Sequence, residues 1–390
     1  MNCFVSRKKS VQDAVTNVVS LMLAIVPLWL VTAACVPANA QTSGPAPSSA
    51  DWTQFHRDNM QRWNPYETVF GVGNVAGLQL RWKKYVGQFD FWIQSSPAVV
   101  NGVLYVGSGD GNVYALSTSN GAVIWKYPTG VEVESSPAVA NGVVYVGSDG
   151  GNVYALNAST GALIWKYATG SSVESSPAVA NGVVYAGSFA DANVYALNAG
   201  TGALIWKYTT GNGVESSPAV ANGVVYFGSD DYNVYALNAS TGVKLWSYFT
   251  GHGMRAAPVV ANGIAYFSSN VGTLYALNSS TGAVLWSTAV DAAEHSSPAI
   301  ANGVLYISTS AGDILALNAN TGALLWDYPA GNGSGFIENG GPSSPTIVDG
   351  VIYIRAGDYL YAFGSSLPPA GSADLYLRIQ PTPTTSIRAI

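Results

Sequence analysis

Residues 135–167 read SSPAVANGVVYVGSDGGNVYALNASTGALIWKY. PAVA is a short apolar run. Asn141-Gly142 behind it suits a type I′ hairpin, whose two central residues both need positive φ. VVYVGS reads as a second strand, DGG as a turn and NVYALNA as a third strand. STG turns the chain again, its glycine free of the Cβ penalty, and ALIWKY is a fourth strand. Val, Ile, Tyr and Trp all suit a pleated, half-buried surface. The unit is therefore a four-stranded antiparallel meander.

The unit recurs on a beat of about 40 residues. The proline of its opening Ser-Ser-Pro (Ala-Ala-Pro at 256–258) falls at Pro97, Pro137, Pro177, Pro218, Pro258, Pro298 and Pro345. The hairpin signal returns at Asn101-Gly102, Asn181-Gly182, Asn222-Gly223, Asn262-Gly263 and Asn302-Gly303, with Asp349-Gly350 in its place in the last unit. A sheet that is apolar on both faces cannot bury both alone, and stacking such sheets around an axis gives a propeller. The expected fold class is all-β, a seven-bladed β-propeller of four-stranded antiparallel blades. Trp82, Trp125, Trp165, Trp206, Trp246, Trp286 and Trp326 keep the same beat. Each is expected to be structural, packing across the gap to the next blade beside a Thr-Gly turn, where its N–H finds a partner. The last unit, residues 343–364, has three strands and no tryptophan, whereas LQLRWKKYVG (78–87) is an orphan fourth strand. Residues 78–86 are therefore expected to complete the C-terminal blade and remove an open edge.

Of 390 residues, 10% are charged, 48% are hydrophobic and 43 are glycine, a mix that fits many short strands and tight turns. The formal charge is −6, and no basic cluster lies beyond the first residues, which argues against a nucleic-acid partner. Arg7, Lys8 and Lys9, an apolar run over 18–35, and Ala38-Asn39-Ala40 together read as a signal peptide, 1–40, cut after Ala40. That implies export to the periplasm or the extracellular space. A lipoprotein acylated at Cys35 and an N-terminal membrane anchor remain as alternatives. Cys3 and Cys35 are the only cysteines, so a cleaved chain has no thiol, disulfide or thiolate metal site. Residues 41–50 read as a linker, 51–77 as an entry segment, 78–364 as the propeller and 365–390 as a flexible tail. Trp52, Phe55 and Trp63 of the entry segment are expected to pack on one rim.

The beat YALNASTGALIWKY resembles the repeat of the pyrroloquinoline-quinone (PQQ) enzyme family, Ala-x-Asp-x-x-Thr-Gly-x-x-x-Trp. Here Asn157, Asn198, Asn238, Asn278 and Asn318 stand where the family often has Asp. DWTQFHRDN (51–59) is similar to the entry segment of exported members. The resemblance implies one of two classes. One is the eight-bladed quinoprotein dehydrogenases, with calcium and with PQQ lying against two adjacent disulfide-bonded cysteines. The other is cofactor-free propellers, among them the lipoprotein of the outer-membrane β-barrel assembly machinery, which binds partner proteins. The absent cysteines and the blade count point to the second class. No PQQ and no Ca2+ are expected, and PQQ-dependent oxidation of alcohols or sugars is the alternative.

Two places invite a ligand. The residue before each opening tripeptide varies while its surroundings repeat: Gln94, Glu134, Glu174, Glu215, Arg255, His295 and Pro342. If that strand is innermost, these positions form a polar, half-acidic collar at the channel mouth, suited to a cation or polar ligand. The long connection 328–345 brings Phe336, Ile337 and Glu338, and the loop 85–97 brings Phe89, Phe91 and Trp92. Together they are expected to form an aromatic patch for a partner. The Asp-rich turns GSGDGN, GSDGGN and GSDDYN lack the spaced ligands of a calcium loop and read as ordinary turns. His56, His252 and His295 are isolated, no metal site is expected, and no catalytic residue is assignable. The expectation is a monomeric, non-catalytic binding scaffold whose rim loops meet a cell-envelope protein or a saccharide.

Overall fold

The computed structural model describes residues 63–64, 69–85, 95–120, 122–290, 296–329, 344–348, 351–356 and 359–364. All of them belong to the unit Gly44–Ile390. The linker, the tail and the N-terminal apolar run lie outside the described residues. Among those described, no helix is long and apolar enough to cross a membrane.

The fold is a seven-bladed β-propeller of four-stranded antiparallel sheets. The blades are numbered 1 to 7 in chain order, by first strands beginning at Ala98, Ala138, Ala178, Ala219, Val259, Ala299 and Thr346. In blade 2, Ala138–Ala140 leads by an Asn-Gly hairpin to Val143–Ser148, then to Asn152–Asn157 and Leu163–Ala168. The hairpin asparagines Asn101, Asn141, Asn181, Asn222, Asn262 and Asn302 take φ of 46 to 51°, the positive values that the type I′ turn demands. Asp349-Gly350 lies outside the described residues.

The first strands of successive blades, from Ala98–Val100 to Thr346–Val348, touch one another and so surround the axis. The fourth strands are outermost. Each has a bulge, such as that between Leu163 and Trp165, which leaves both Leu163 and Ile164 exposed while Trp165 is buried.

The closure expected from the repeat is present. Gln79–Tyr85 lies antiparallel to Tyr359–Gly364, with Leu80 opposite Phe363 and Trp82 opposite Ala362, and so becomes the fourth strand of blade 7. The entry segment takes a different course from the one expected. Trp63–Asn64 pairs in parallel with the innermost strand of blade 6, Trp63 opposite Ile300, so it reaches the axis rather than a rim. An innermost strand has one free ladder edge, and the incoming backbone satisfies it. The following stretch crosses the hairpin side of blades 6 and 7. There Phe70, Val75 and Leu78 are buried with Ile347, Ile352 and Phe363, and Asn302 Nδ2 donates to the Phe70 carbonyl at 3.1 Å. Trp52 and Phe55 lie outside the described residues.

Blades are joined by three recurring contacts. Trp125 Nε1 donates to the Ala158 carbonyl of the next blade at 2.8 Å, and Trp165, Trp206, Trp246 and Trp286 repeat the bond to Ala199, Ala239, Ser279 and Ala319 at 2.8 to 3.0 Å. The same carbonyls accept from the hydroxyls of Tyr105, Tyr145, Tyr185, Tyr226 and Tyr266, which use their second lone pair. The Thr-Gly glycine lies flat on the indole. A Cβ at Gly242 would sit 2.7 Å from Trp206, and its φ is +70°.

Trp82 departs from the expectation. It is 43% exposed, against 8% for Trp125, Trp165, Trp206 and Trp246, and its ring meets Tyr353 of its own blade at 6.1 Å. By the beat of the repeat it would dock on the turn of blade 1, where Ser117 replaces the asparagine that organises the other turns. Trp326 is half-buried and packs edge-on against Phe363 at 5.4 Å.

The two serines of Ser-Ser-Pro have separate tasks that the sequence did not disclose. The first latches its own blade: Ser135 Oγ accepts from Gly147 N at 3.0 Å. The second latches the preceding blade: Ser136 Oγ accepts from Ser96 N at 2.8 Å, Ser176 Oγ from Ser136 N at 3.0 Å, and Ser217 Oγ from Ser176 N at 2.8 Å. These buried hydroxyls satisfy backbone N–H groups at the tightest part of the ring.

Candidate functional site

The two ends of the propeller differ in charge, and the strand order explains why. Asn-Gly hairpins and Thr-Gly turns share one end. The turns between second and third strands share the other with the connectors that enter each blade. Every Asp and Glu among the described residues except Asp327 lies at this second end. Lys83, Lys84, Lys126, Lys166, Lys207 and Lys244 lie on outermost strands instead. The result is an acidic rim with a basic girdle.

The connector is pinned to its own blade's turn by a repeated backbone bond: Asp149 N to Glu132 O at 3.1 Å, Phe189 N to Ser172 O at 3.0 Å, Asp230 N to Gly213 O at 2.9 Å and Asn270 N to Gly253 O at 3.0 Å. This bond brings collar residue and turn residue together. Within the turn, two positions diverge. Asp110 and Asp231 accept from the hydroxyls of Tyr114 and Tyr235 at 2.5 Å, and Asp191 accepts from Tyr195 in the same way. Those aspartates do the turn chemistry expected of them. Asp149 and Asp230 come one place earlier and stand by the collar instead.

Glu134, Glu174, Glu215 and Arg255 are half-buried on consecutive connectors, each entering an innermost strand. The collar is not uniform. At blade 4, Arg255 Nε lies 3.4 Å from Glu215 Oε2 and 3.2 Å from Asp230 Oδ1, and its Nη2 lies 3.1 Å from Asp230 Oδ2. At blade 2, Glu132, Glu134 and Asp149 each place a carboxylate oxygen within 4.8 Å of the others. Burial, then the charges of Asp149, Glu174 and Glu132, push Glu134 up to about 7. Burial, then Glu174 and Glu132, push Asp149 to about 6. Asp149 Oδ1 is without exposed surface and has no hydrogen-bond partner. Beside it a cavity of about 340 Å³ is lined by Gly109, Asp110, Gly111, Gly130, Val131, Glu132 and Asp149.

Gln94, His295 and Pro342 of the predicted collar lie outside the described residues, as do Phe89, Phe91, Trp92, Phe336, Ile337 and Glu338 of the predicted aromatic patch. Sequence reasoning missed Glu132, Asp149 and Asp230 as rim partners. For the two aspartates the available signal was their fixed offset from the collar glutamates, the same in blades 2 and 4; Glu132 has no such counterpart, since Gly213 stands there in blade 4.

The family described as outer membrane protein assembly factor BamB matches residues 52–187, 149–257 and 249–367. This chain belongs to that family of PQQ-like repeat propellers. Among solved structures, BamB from Moraxella catarrhalis is similar over 74% of this chain and 97% of its own, at 18% identity and a TM-score of 0.60. A quinohemoprotein alcohol dehydrogenase from Pseudomonas putida HK5 aligns over 86% and 82%, at 17% identity and a TM-score of 0.55. A computationally designed protein, Ika8, aligns over 70% and 83%, at 17% identity and 0.59. At such identities the likeness is one of fold. Among curated protein sequences none matches this chain.

Local hydrogen bonds explain the asparagines of the repeat in this BamB-like chain. Asn198 Oδ1 accepts from Gly200 N, Thr201 N and Thr201 Oγ1 at 3.0 Å each. The position needs only an acceptor, so the neutral amide serves where the family often has a carboxylate.

The quinoprotein neighbours raise the question of PQQ, a flat quinone bearing three carboxylates. The described cavity offers it carboxylates and glycines, with no aromatic or cationic side chain in the lining. These residues do not fit the group, and no chemistry through it is derived for this BamB-like chain.

Proposed function

We propose that this protein is an exported, monomeric, non-catalytic scaffold that binds a protein partner of the cell envelope at its acidic rim. The observation that carries the reading is the segregation of carboxylates to one end of the propeller, around connectors held rigid by the repeated backbone bonds. Such a field steers and orients a basic partner, and a rigid scaffold limits the ordering cost of binding. BamB-like membership supports a protein partner over a saccharide.

The test is site-directed crosslinking from the rim in intact cells, for example from Glu132 replaced by a photoreactive residue. A defined envelope protein, lost when Glu134 and Glu174 are neutralised, is the expected outcome. Crosslinking that is unchanged by neutralisation would refute the rim as the binding surface. Dye reduction with added PQQ, Ca2+ and alcohols or sugars would refute the non-catalytic reading.

A further inference from the structure

Blade 4 breaks the repeat at two paired positions, and both changes are to aromatic rings. The last residue of the turn between second and third strands is Gly111, Gly151, Gly272 and Gly312 in blades 1, 2, 5 and 6 and Ala192 in blade 3, but Tyr232 in blade 4. The last residue of the outermost strand is Pro128, Ala168, Thr209 and Ala289 in blades 1, 2, 3 and 5, but Phe249 in blade 4. The two rings meet edge to face, with centroids 6.4 Å apart and planes at 70°. Tyr232 is 49% exposed and Phe249 is 64% exposed.

The turn itself does not need the ring. Tyr232 N donates to Ser229 O at 3.2 Å and Tyr232 O accepts from Thr250 N at 2.8 Å, the bonds that Gly151 makes with Ser148 and Thr169 at 3.0 and 2.9 Å. The φ of Tyr232 is 71°, beside 72° for Gly151 and 81° for Gly272, and this left-handed backbone costs a tyrosine more than a glycine. About half of the ring stays in water, and the ring it meets is more exposed still, so much of the pair is open to a partner. A costly backbone kept beneath an exposed side chain points to a use for that side chain. The surroundings indicate the chemistry of the occupant. The pair stands on the acidic rim, where Asp230 and Asp231 come just before Tyr232, Glu215 enters the blade, and these three outnumber Arg255. Phe249 reaches over the connector at Gly251, where an added Cβ would lie 3.9 Å from its Cε1. The face of an aromatic ring is the negative part of its quadrupole, so rings and carboxylates attract the same kind of group, a cation.

We propose that Tyr232 and Phe249 form a cation–π platform on the acidic rim, which receives a lysine or arginine side chain from a basic segment of the partner protein. This rests on the reading of the rim as a protein-binding surface and names the sector of the rim and the side chain that lands there. The carboxylates draw the segment in from a distance, and the rings fix where it docks, since a ring face attracts a cation only within about 6 Å. The other blades supply the substitutions that abolish the platform.

The experiment titrates a fluorescent Gly-Arg-Gly-Gly-Arg-Gly peptide into the full chain and follows anisotropy, at about 0.15 M salt to screen long-range attraction. Tyr232→Gly and Phe249→Ala install the residues that other blades use, and neither alters the charge of the rim. Each should weaken binding about threefold to tenfold. Tyr232→Phe keeps the ring and should bind as the wild type does. Trp82→Ala removes an exposed aromatic from blade 7 and should leave binding unchanged. Circular dichroism and melting curves confirm that each variant folds. No binding by the wild type, unaltered binding by Tyr232→Gly and Phe249→Ala, or loss of binding in Tyr232→Phe would each overturn the proposal. So would equal binding of the peptide with leucine in place of arginine, or of a neutral oligosaccharide lost in the same variants. The two readings separate cleanly. If the peptide result fails while the envelope crosslink persists, the platform falls and the scaffold stands. If peptide binding behaves as expected but no envelope protein crosslinks, the platform stands as a cation site and the scaffold reading falls.

Discussion

Replacing Trp206 and Trp82 by alanine in separate variants tests what holds neighbouring blades together. Trp206 is 8% exposed, packs at a tilt against Tyr185 at 5.8 Å, and donates to the Ala239 carbonyl at 2.9 Å. Truncating a buried tryptophan costs about 3–5 kcal/mol through lost transfer energy and the cavity left behind. The Ala239 carbonyl keeps its bond from Tyr185 Oη at 3.0 Å, so no acceptor is stranded and no further penalty is added. Trp82 is 43% exposed, so the same change removes roughly three-fifths as much buried surface and should cost about 2–3 kcal/mol. Guanidinium unfolding followed by circular dichroism gives both values, provided the slopes agree with the wild type. Equal costs for the two variants, or a cost below about 1 kcal/mol for Trp206→Ala, would refute inter-blade docking as the source of stability.

Further outcomes follow from the same geometry. Burial, and then the neighbouring carboxylates, push Glu134 up to about 7 from an ordinary value of 4.5, so the folded protein binds that proton more tightly than the unfolded chain. Its favourable contribution is full below pH 4.5 and is lost as pH rises to about 7. Glu134→Gln should therefore melt higher than wild type above pH 7, with the difference vanishing in acid, as thermal melts across pH will show. Asn198→Ala removes an acceptor for three donors and should cost about 1–2 kcal/mol, whereas Asn198→Asp should be nearly neutral, by the same denaturation assay. Gly242→Ala meets both a positive φ and the Trp206 indole at 2.7 Å, so it should destabilise by more than about 1 kcal/mol, with loss of Trp206 burial visible as a red-shifted emission.

The repeat by itself determined the blade count, the order of strands within a blade, the Asn-Gly hairpins and the completion of the last blade by a strand expected over residues 78–86, which the structure places at Gln79–Tyr85. These properties depend on local turn chemistry and on a pattern that returns at a fixed interval, so the letters carry them. They also placed Glu134, Glu174, Glu215 and Arg255 before innermost strands. The course of Trp63–Asn64 along blade 6 was not legible, because a single added strand has no partner in the repeat. Nor was the exposure of Trp82, which depends on the blade it faces and not on its own motif. Only the tertiary structure brought Asp149 to Glu134 and Asp230 to Arg255. A backbone bond between connector and turn sets that approach, and the energy of like or unlike charges changes steeply over a few ångströms. One letter, Glu174 against Arg255, then decides whether a carboxylate or a guanidinium faces the pair. That difference acquires meaning only once the two blades are superposed in space.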